Sequence, residues 1–272
     1  MLDLIKVEEV GGEMELVWEW EEPIYTLPED SDSLFWDGTL KEGWEGYPEG
    51  TNVNDIDLTK ADASNVIIAD SMFRAADWFR QNIGHWNMSN VISCRFMFRQ
   101  AHRFNSDIGR WDVSQVKDVY WMFSESLFFN RDIGSWDTSS IENMRGMFLA
   151  AHNFNQDIGQ WNTFNVTDMG WMLRDAFDFN QDISWKGGEI WNVSNVEDMS
   201  TMLNNSSLSI ENYDKFLIGL KELDQSAEYN LQTEVELGAL GIQFGETTEA
   251  VDAHDYLTSQ LNWTIIDDGP VN

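Results

Sequence analysis

Asp107, Asp132, Asp157 and Asp182 stand 25 residues apart, and Asn105, Asn130, Asn155 and Asn180 keep the same step two places earlier. Carboxylates in so regular a row could bridge calcium, which takes oxygen ligands from flexible arrays. No D-x-D-x-D-G loop accompanies them, so their expected role is plainer: capping nearby backbone donors. The asparagines are expected to bond backbone groups of adjacent turns, which buried loops require. Carboxylate pairs for glycoside hydrolysis are available in a chain with 48 acidic residues, yet the period places the recurring ones and no isolated pair stands apart. His85, His102, His152 and His254 lack metal-ligand spacing. Cys94 occupies a position held elsewhere by Ala69, Val119 and Met144, which reads as a small core residue. Nucleophile motifs and phosphate-binding glycine loops are missing. The expectation is a chain without catalytic residues, cofactor or metal.

A second set of residues suits recognition. One repeat position holds Phe96, Trp121 and Trp171 where other repeats have Ser71, Gly146 and Thr201. The position before it holds Arg95, Tyr120 and Arg145, and three residues after it stand Arg74, Arg99 and Arg174. Trp, Tyr and Arg dominate binding hot spots, so this stripe could stack a glycan or meet a protein. Its plain alternative is packing beneath the N-terminal segment. Trp185, in a five-residue insertion Trp185–Glu189, is a further candidate contact. In the N-terminal segment Met14, Leu16, Trp18 and Trp20 alternate with acidic residues and are candidate attachment residues.

What must position all of these is a 25-residue period. Trp86, Trp111, Trp136 and Trp161 keep it, as do Met72 to Met172, Phe79 to Phe179 and Ile83 to Ile183. Such periods mark solenoids, in which each repeat buries its apolar face against its neighbours. The units run approximately 61–85, 86–110, 111–135, 136–160, 161–190 and 191–215. Within 111–135, Ser114 reads as a helix N-cap, followed by apolar Val116, Val119, Met122, Phe123 and Phe129. Ser139 with Glu142 and Ser194 with Glu197 match the capping box. The reading is a short helix plus a short extended segment per unit. The fold class is then an α/β solenoid of about six coils, leucine-rich-repeat-like, with a β-rich N-terminal segment and an α/β C-terminal cap. The domain limits are 1–56, 57–215 and 216–272. A hairpin is expected around Gly11-Gly12, helices near 212–223 and 249–261, and a final strand at 263–266.

Composition limits the partners. The formal net charge is −32; residues 1–60 hold 3 basic and 17 acidic side chains, and residues 216–272 hold 1 and 11. A chain so acidic lacks the basic footprint of nucleic-acid binding. No apolar window suits a membrane span. The start, Met1 to Lys6, lacks the basic and long apolar regions of a secretory signal.

The repeat W-[DN]-x-S-x-V-x-x-M-x-x-M-F-x-x-A-x-x-F-N-x-D-I-G, clearest at Phe154-Asn155-Gln156-Asp157-Ile158-Gly159, resembles the BspA-like leucine-rich-repeat surface proteins. The resemblance covers about residues 57–269, including the ending at Leu217-Ile218-Gly219-Leu220 and Trp263-Thr264-Ile265-Ile266. It implies a curved solenoid and roles in adhesion or surface recognition, with no catalytic residues. Residues 1–56 have no counterpart in it. The expected function is a non-enzymatic recognition or structural protein on a virion surface: a phage fibre, decoration or accessory protein held by its N-terminal segment. A bacterial cell-surface adhesin is the alternative, and a glycan-degrading enzyme on the same scaffold is the alternative of another class. The expected partners are protein and, secondarily, glycan; the oligomeric state stays open.

Overall fold

The computed structural model describes residues 4–10, 13–19, 25–41 and 47–271. In the repeats the chain is built of turns, and its hydrogen bonds run between units. In 111–135, the N–H groups of Val119, Trp121, Phe123 and Glu125 donate to the carbonyls of Asn143, Arg145, Met147 and Leu149. The intervening N–H groups of Met122, Ser124 and Ser126 turn back three residues along their own chain. Trp121 and Glu125 take positive φ, 56° and 59°.

The short helix expected in each unit is therefore absent from the described repeats, where no helix lies between Ala61–Asp62 and Ile210. A helix needs consecutive i→i−4 bonds in the right-handed region. Apolar spacings of three and four return a chain to one face in successive tight turns as well as in a helix. Here the carbonyls of the neighbouring unit capture every second N–H. The expected caps have other roles: the Ser114 and Ser139 N–H groups donate to the Asp112 and Asp137 side chains at 3.1 Å. No capping box forms at Ser139, because the Glu142 N–H donates to the Lys117 carbonyl.

The units lie parallel. Bridges join Asp30, Ile68, Ser93, Asp118, Asn143, Asp168 and Asp198 in that order. The ladder thus includes residues before 57. Ser31, Ser33, Phe35 and Asp37 donate to the carbonyls of Ile68, Asp70, Met72 and Arg74, with Ser33 and Asp37 at φ 57°. Residues 27–41 are an extra turn of the same ladder, hidden in the sequence because only Ser33-Leu34-Phe35 echoes Ser71-Met72-Phe73.

Strands β1 (Leu4–Val10) and β2 (Glu13–Glu19) form an antiparallel hairpin, with Val7 opposite Leu16. Met14, Leu16 and Trp18 are thus backbone-paired on β2; their side chains, and Trp20, fall outside the described residues. Strand β3 (Tyr25–Thr26) pairs with β4 (Ala61–Asp62) in parallel. At the other end, Leu203 and Asn205 donate to Gly238 and Leu240. Strand β5 (Glu236–Gly238) pairs in parallel with β6 (Thr264–Ile266). Helices α1 (Ile210–Asp224) and α2 (Thr248–Gln260) pack together here, their first turns capped by Ser209 and Thr247.

The interior is aromatic. Phe35, Phe73, Phe98, Phe123 and Phe148 form one column at 5.3–5.7 Å between centroids. Phe79, Phe104, Phe129, Phe154 and Phe179 form a second at 5.9–6.1 Å. The two interleave at 3.9–4.2 Å. Each of these rings is fully buried, a contribution of about 1.5–3 kcal/mol apiece. The repeat tryptophans satisfy their indole N–H on the preceding unit: Trp111 donates to Ile83 O at 3.0 Å and Trp136 to Ile108 O at 3.1 Å. Asn105, Asn130 and Asn155 each accept the backbone N–H of the next asparagine in the column. Asp107, Asp132 and Asp157 cap the N–H two residues on, at Gly109, Gly134 and Gly159. A Cβ at Gly134 would sit 2.4 Å from the Asp157 carbonyl oxygen, so glycine is what lets the units close up.

Candidate functional site

Position by position, this frame sends one column of side chains outward at the left-handed turn residue. The column is Ser33, Ser71, Phe96, Trp121, Gly146, Trp171 and Thr201, with φ between 54° and 64°. Holding a bulky residue in that region costs of order 1–3 kcal/mol, so three aromatics here are a costly choice. Gly146 makes room between two of them. A Cβ at Gly146 would lie 2.6 Å from Trp121 Nε1; without it, the Trp121 ring lies along the ladder and stacks on Trp171 at 6.3 Å.

Arginines clamp the rings. Arg99 sits 4.5 Å over Trp121, and Arg174 sits 4.8 Å over Trp171, with Arg145 at 6.0 Å. Phe96 receives Arg74, Arg95 and Arg99 at 5.5, 5.9 and 5.8 Å and meets Tyr120 edge-on at 5.1 Å. Arg74 continues to Trp36 at 5.3 Å, where Lys41 also lies at 5.8 Å. The result is one connected run, Trp36–Arg74–Phe96–Arg99–Trp121–Trp171–Arg174. Each cation–π contact contributes about 0.5–2 kcal/mol. Nothing in the sequence marks Trp36, whose turn lies outside the 25-residue period.

Carboxylates balance most of these cations. Arg95 faces Asp118 at 3.6 Å, Arg99 faces Glu125 at 3.6 Å, and Arg174 faces Asp175 at 3.1 Å. Arg145 reaches Asp168 at 3.2 Å and Asp198 at 2.5 Å. It passes over Gly170, where a Cβ would lie 2.6 Å from its Nη1. Arg74 has no carboxylate partner among the described residues. Burial pushes the Asp118 carboxyl above its usual range, against the Tyr120 N–H and Arg95. Burial also pushes Asp198 up, but bonds from Ser200 and Arg145 outweigh it and hold the carboxyl low. Along the same face Arg74 Nε, Arg99 Nε and Trp121 Nε1 are buried donors without acceptors among the described residues.

The structure thus gathers Phe96, Trp121, Trp171, Arg95, Arg99, Arg145 and Arg174 into one stripe. Trp185 is elsewhere: its Nε1 donates to Gly188 O at 3.0 Å and closes its own insertion loop. Cys94 is buried, and burial raises its thiol pKa far above the ordinary value. No cluster of candidate metal ligands occurs among the described residues, and no described helix is long and apolar enough to cross a membrane. A second aromatic face, unmarked in the sequence reading, exposes Trp78 (60%) and Phe128 (52%).

Residues 45–140 and 128–218 each match the family model described as "Mycoplasma protein of unknown function, DUF285". Together the two matches span well over half of the chain. No curated protein and no solved structure gave a match.

Proposed function

The chain belongs to the DUF285 family, and from that premise we propose that it is a non-enzymatic recognition protein carried on a surface, built as a solenoid. The solenoid reading is supported by the parallel bridges from Asp30 to Asp198 and by the two phenylalanine columns. The repeat also resembles BspA-like surface repeats, and that resemblance favours adhesion or recognition. The surface we propose is a phage particle, with the N-terminal hairpin as the attachment element; proteomics of purified particles that never finds the chain contradicts this placement.

One observation carries the recognition reading. Bulky rings occupy a strained backbone position that serine and glycine fill equally well elsewhere in the same ladder. Folding alone does not call for Phe96, Trp121 or Trp171. Partly buried tryptophans with guanidiniums over their faces have the composition of a contact hot spot. The test is binding of the labelled protein to intact candidate host cells. Trp121→Gly with Trp171→Gly should weaken binding at least tenfold. Unchanged binding assigns the stripe to the scaffold. Turnover of polysaccharide by the purified chain contradicts the non-enzymatic reading.

A further inference from the structure

The second aromatic face breaks the period in a different way. The outward positions that hold Asn153, Asn155 and Gln156, then Asp178, Asn180 and Gln181, in the later units hold Trp78, Arg80, Arg103, Phe128 and Arg131 in the earlier ones. Backbone bonds set these in line: Arg103 N–H donates to Asp77 O at 3.2 Å, and Phe128 N–H to His102 O at 3.1 Å. Arg103 lies 3.9 Å over the Trp78 ring. Arg80, Arg103, Asn105 and Phe128 line a cavity of about 320 Å³, within the range of small-ligand sites. Arg131 Nε donates to Asn105 O at 2.7 Å and so stands beside the cavity.

The charge there is unusual for this chain. Arg95, Arg99, Arg145 and Arg174 all face carboxylates. Arg80, Arg103 and Arg131 face none among the described residues, although the chain carries 48 acidic residues. Asp77, next to Trp78 in the chain, is engaged by His102 Nδ1 at 2.6 Å. Asn105 Oδ1 accepts the Asn130 N–H, and its amide NH₂ has no acceptor among the described residues. Two forked donors, an amide donor and the Phe128 ring thus line one cavity, with Trp78 stacked against Arg103 and Arg131 bonded to Asn105 beside it.

We infer that this cavity binds an acidic saccharide, a uronate or sulfated sugar. Guanidiniums match carboxylate and sulfate oxygens in bidentate geometry. The C–H face of a pyranose is apolar and meets the electron-rich face of an indole or phenyl ring. A neutral sugar leaves the arginines unanswered, and a bare anion leaves Trp78 and Phe128 unused. Long nucleic acid is disfavoured by the overall negative charge.

Calorimetric titration of the full chain tests this, with a galacturonate hexamer, a sulfated galactose hexamer, a neutral galactose hexamer and inorganic sulfate. At least one acidic hexamer should bind ten or more times tighter than the neutral one and than sulfate. Arg103→Gln and Trp78→Ala should each weaken that binding at least tenfold while lowering the melting temperature by no more than a few degrees, and Trp121→Gly leaves the binding intact. Equal binding of acidic and neutral hexamers, no binding of either acidic hexamer, sulfate binding as tight as the best hexamer, or full binding by Arg103→Gln would each overturn the inference. Because Trp121→Gly reads the other face, failure here is separate from failure of the stripe.

Discussion

The two aromatic faces use the same residue types in opposite ways. Along the stripe, rings are half-buried, stacked on one another, and clamped by arginines that most often also hold a carboxylate. Around the Trp78 cavity the rings are more exposed, only Trp78 carries a guanidinium over its face, and the three arginines have no carboxylate among the described residues. The stripe is largely complete in itself, so it suits broad contact with a partner surface. The cavity is incomplete, so it suits a small charged group. The difference is set by neighbours: Gly146 and Gly170 let long side chains lie down and find partners one or two units away, and the Trp78 face has no such gap.

That contrast can be broken by design, beginning where the largest effect lies. Gly146→Ala places a Cβ in the left-handed region and against Trp121, and should cost about 2 kcal/mol in thermal unfolding while separating Trp121 from Trp171. Tryptophan fluorescence reads the separation. Arg145→Ala strips the cation from Asp168 and Asp198, which are 30% and 38% exposed; allowing for solvent screening, the loss should be about 1 kcal/mol at pH 7. The Asp198 carboxyl is depressed when folded, so its contribution is present above its ordinary value of 3.8 and is lost as pH falls through the lower folded value. The penalty of Arg145→Ala should therefore shrink below pH 4, as urea titrations at pH 3 and pH 7 would reveal.

A smaller effect of opposite sign belongs to Asp118→Asn. Its folded pKa is raised by burial, so the charged form weakens the fold at neutral pH. Asn143 already fills the equivalent position and accepts the Arg145 N–H at 3.0 Å. The variant should melt slightly higher at pH 7, and the gain should vanish as pH drops toward 3.8. Smallest of all, Arg103→Gln should lower the melting temperature by no more than a few degrees, because that cation meets no carboxylate among the described residues and gives up only its exposed contact with Trp78; a larger loss would mean that the cavity arginines are structural too.

Much of this was legible in the period. Residues 25 apart are neighbours, so the phenylalanine columns, the asparagine column and the gathering of Phe96, Trp121 and Trp171 follow from counting. The aspartates cap backbone two residues on, as their position before glycine suggests. Three features were not legible for physical reasons. Spacings of three and four do not distinguish a helix from stacked turns when inter-unit carbonyls compete for the N–H groups. Residues 27–41 share geometry with the repeats but little sequence, since a turn at positive φ accepts Ser33 as readily as Trp121. The Trp78 cavity draws on residues from several units, and none of them marks it alone. Trp185 shows the converse, a conspicuous residue that closes its own loop and packs against the core, away from the stripe.

The central claim is that the rings at the strained position serve contact rather than folding. The most direct measurement pairs a melting curve with a cell-binding isotherm for Trp121→Gly/Trp171→Gly, since glycine already occupies that backbone position at Gly146. The account predicts a melting temperature within a few degrees of the parent chain and binding weakened at least tenfold. Parent-level binding, or a chain that no longer folds, would contradict it.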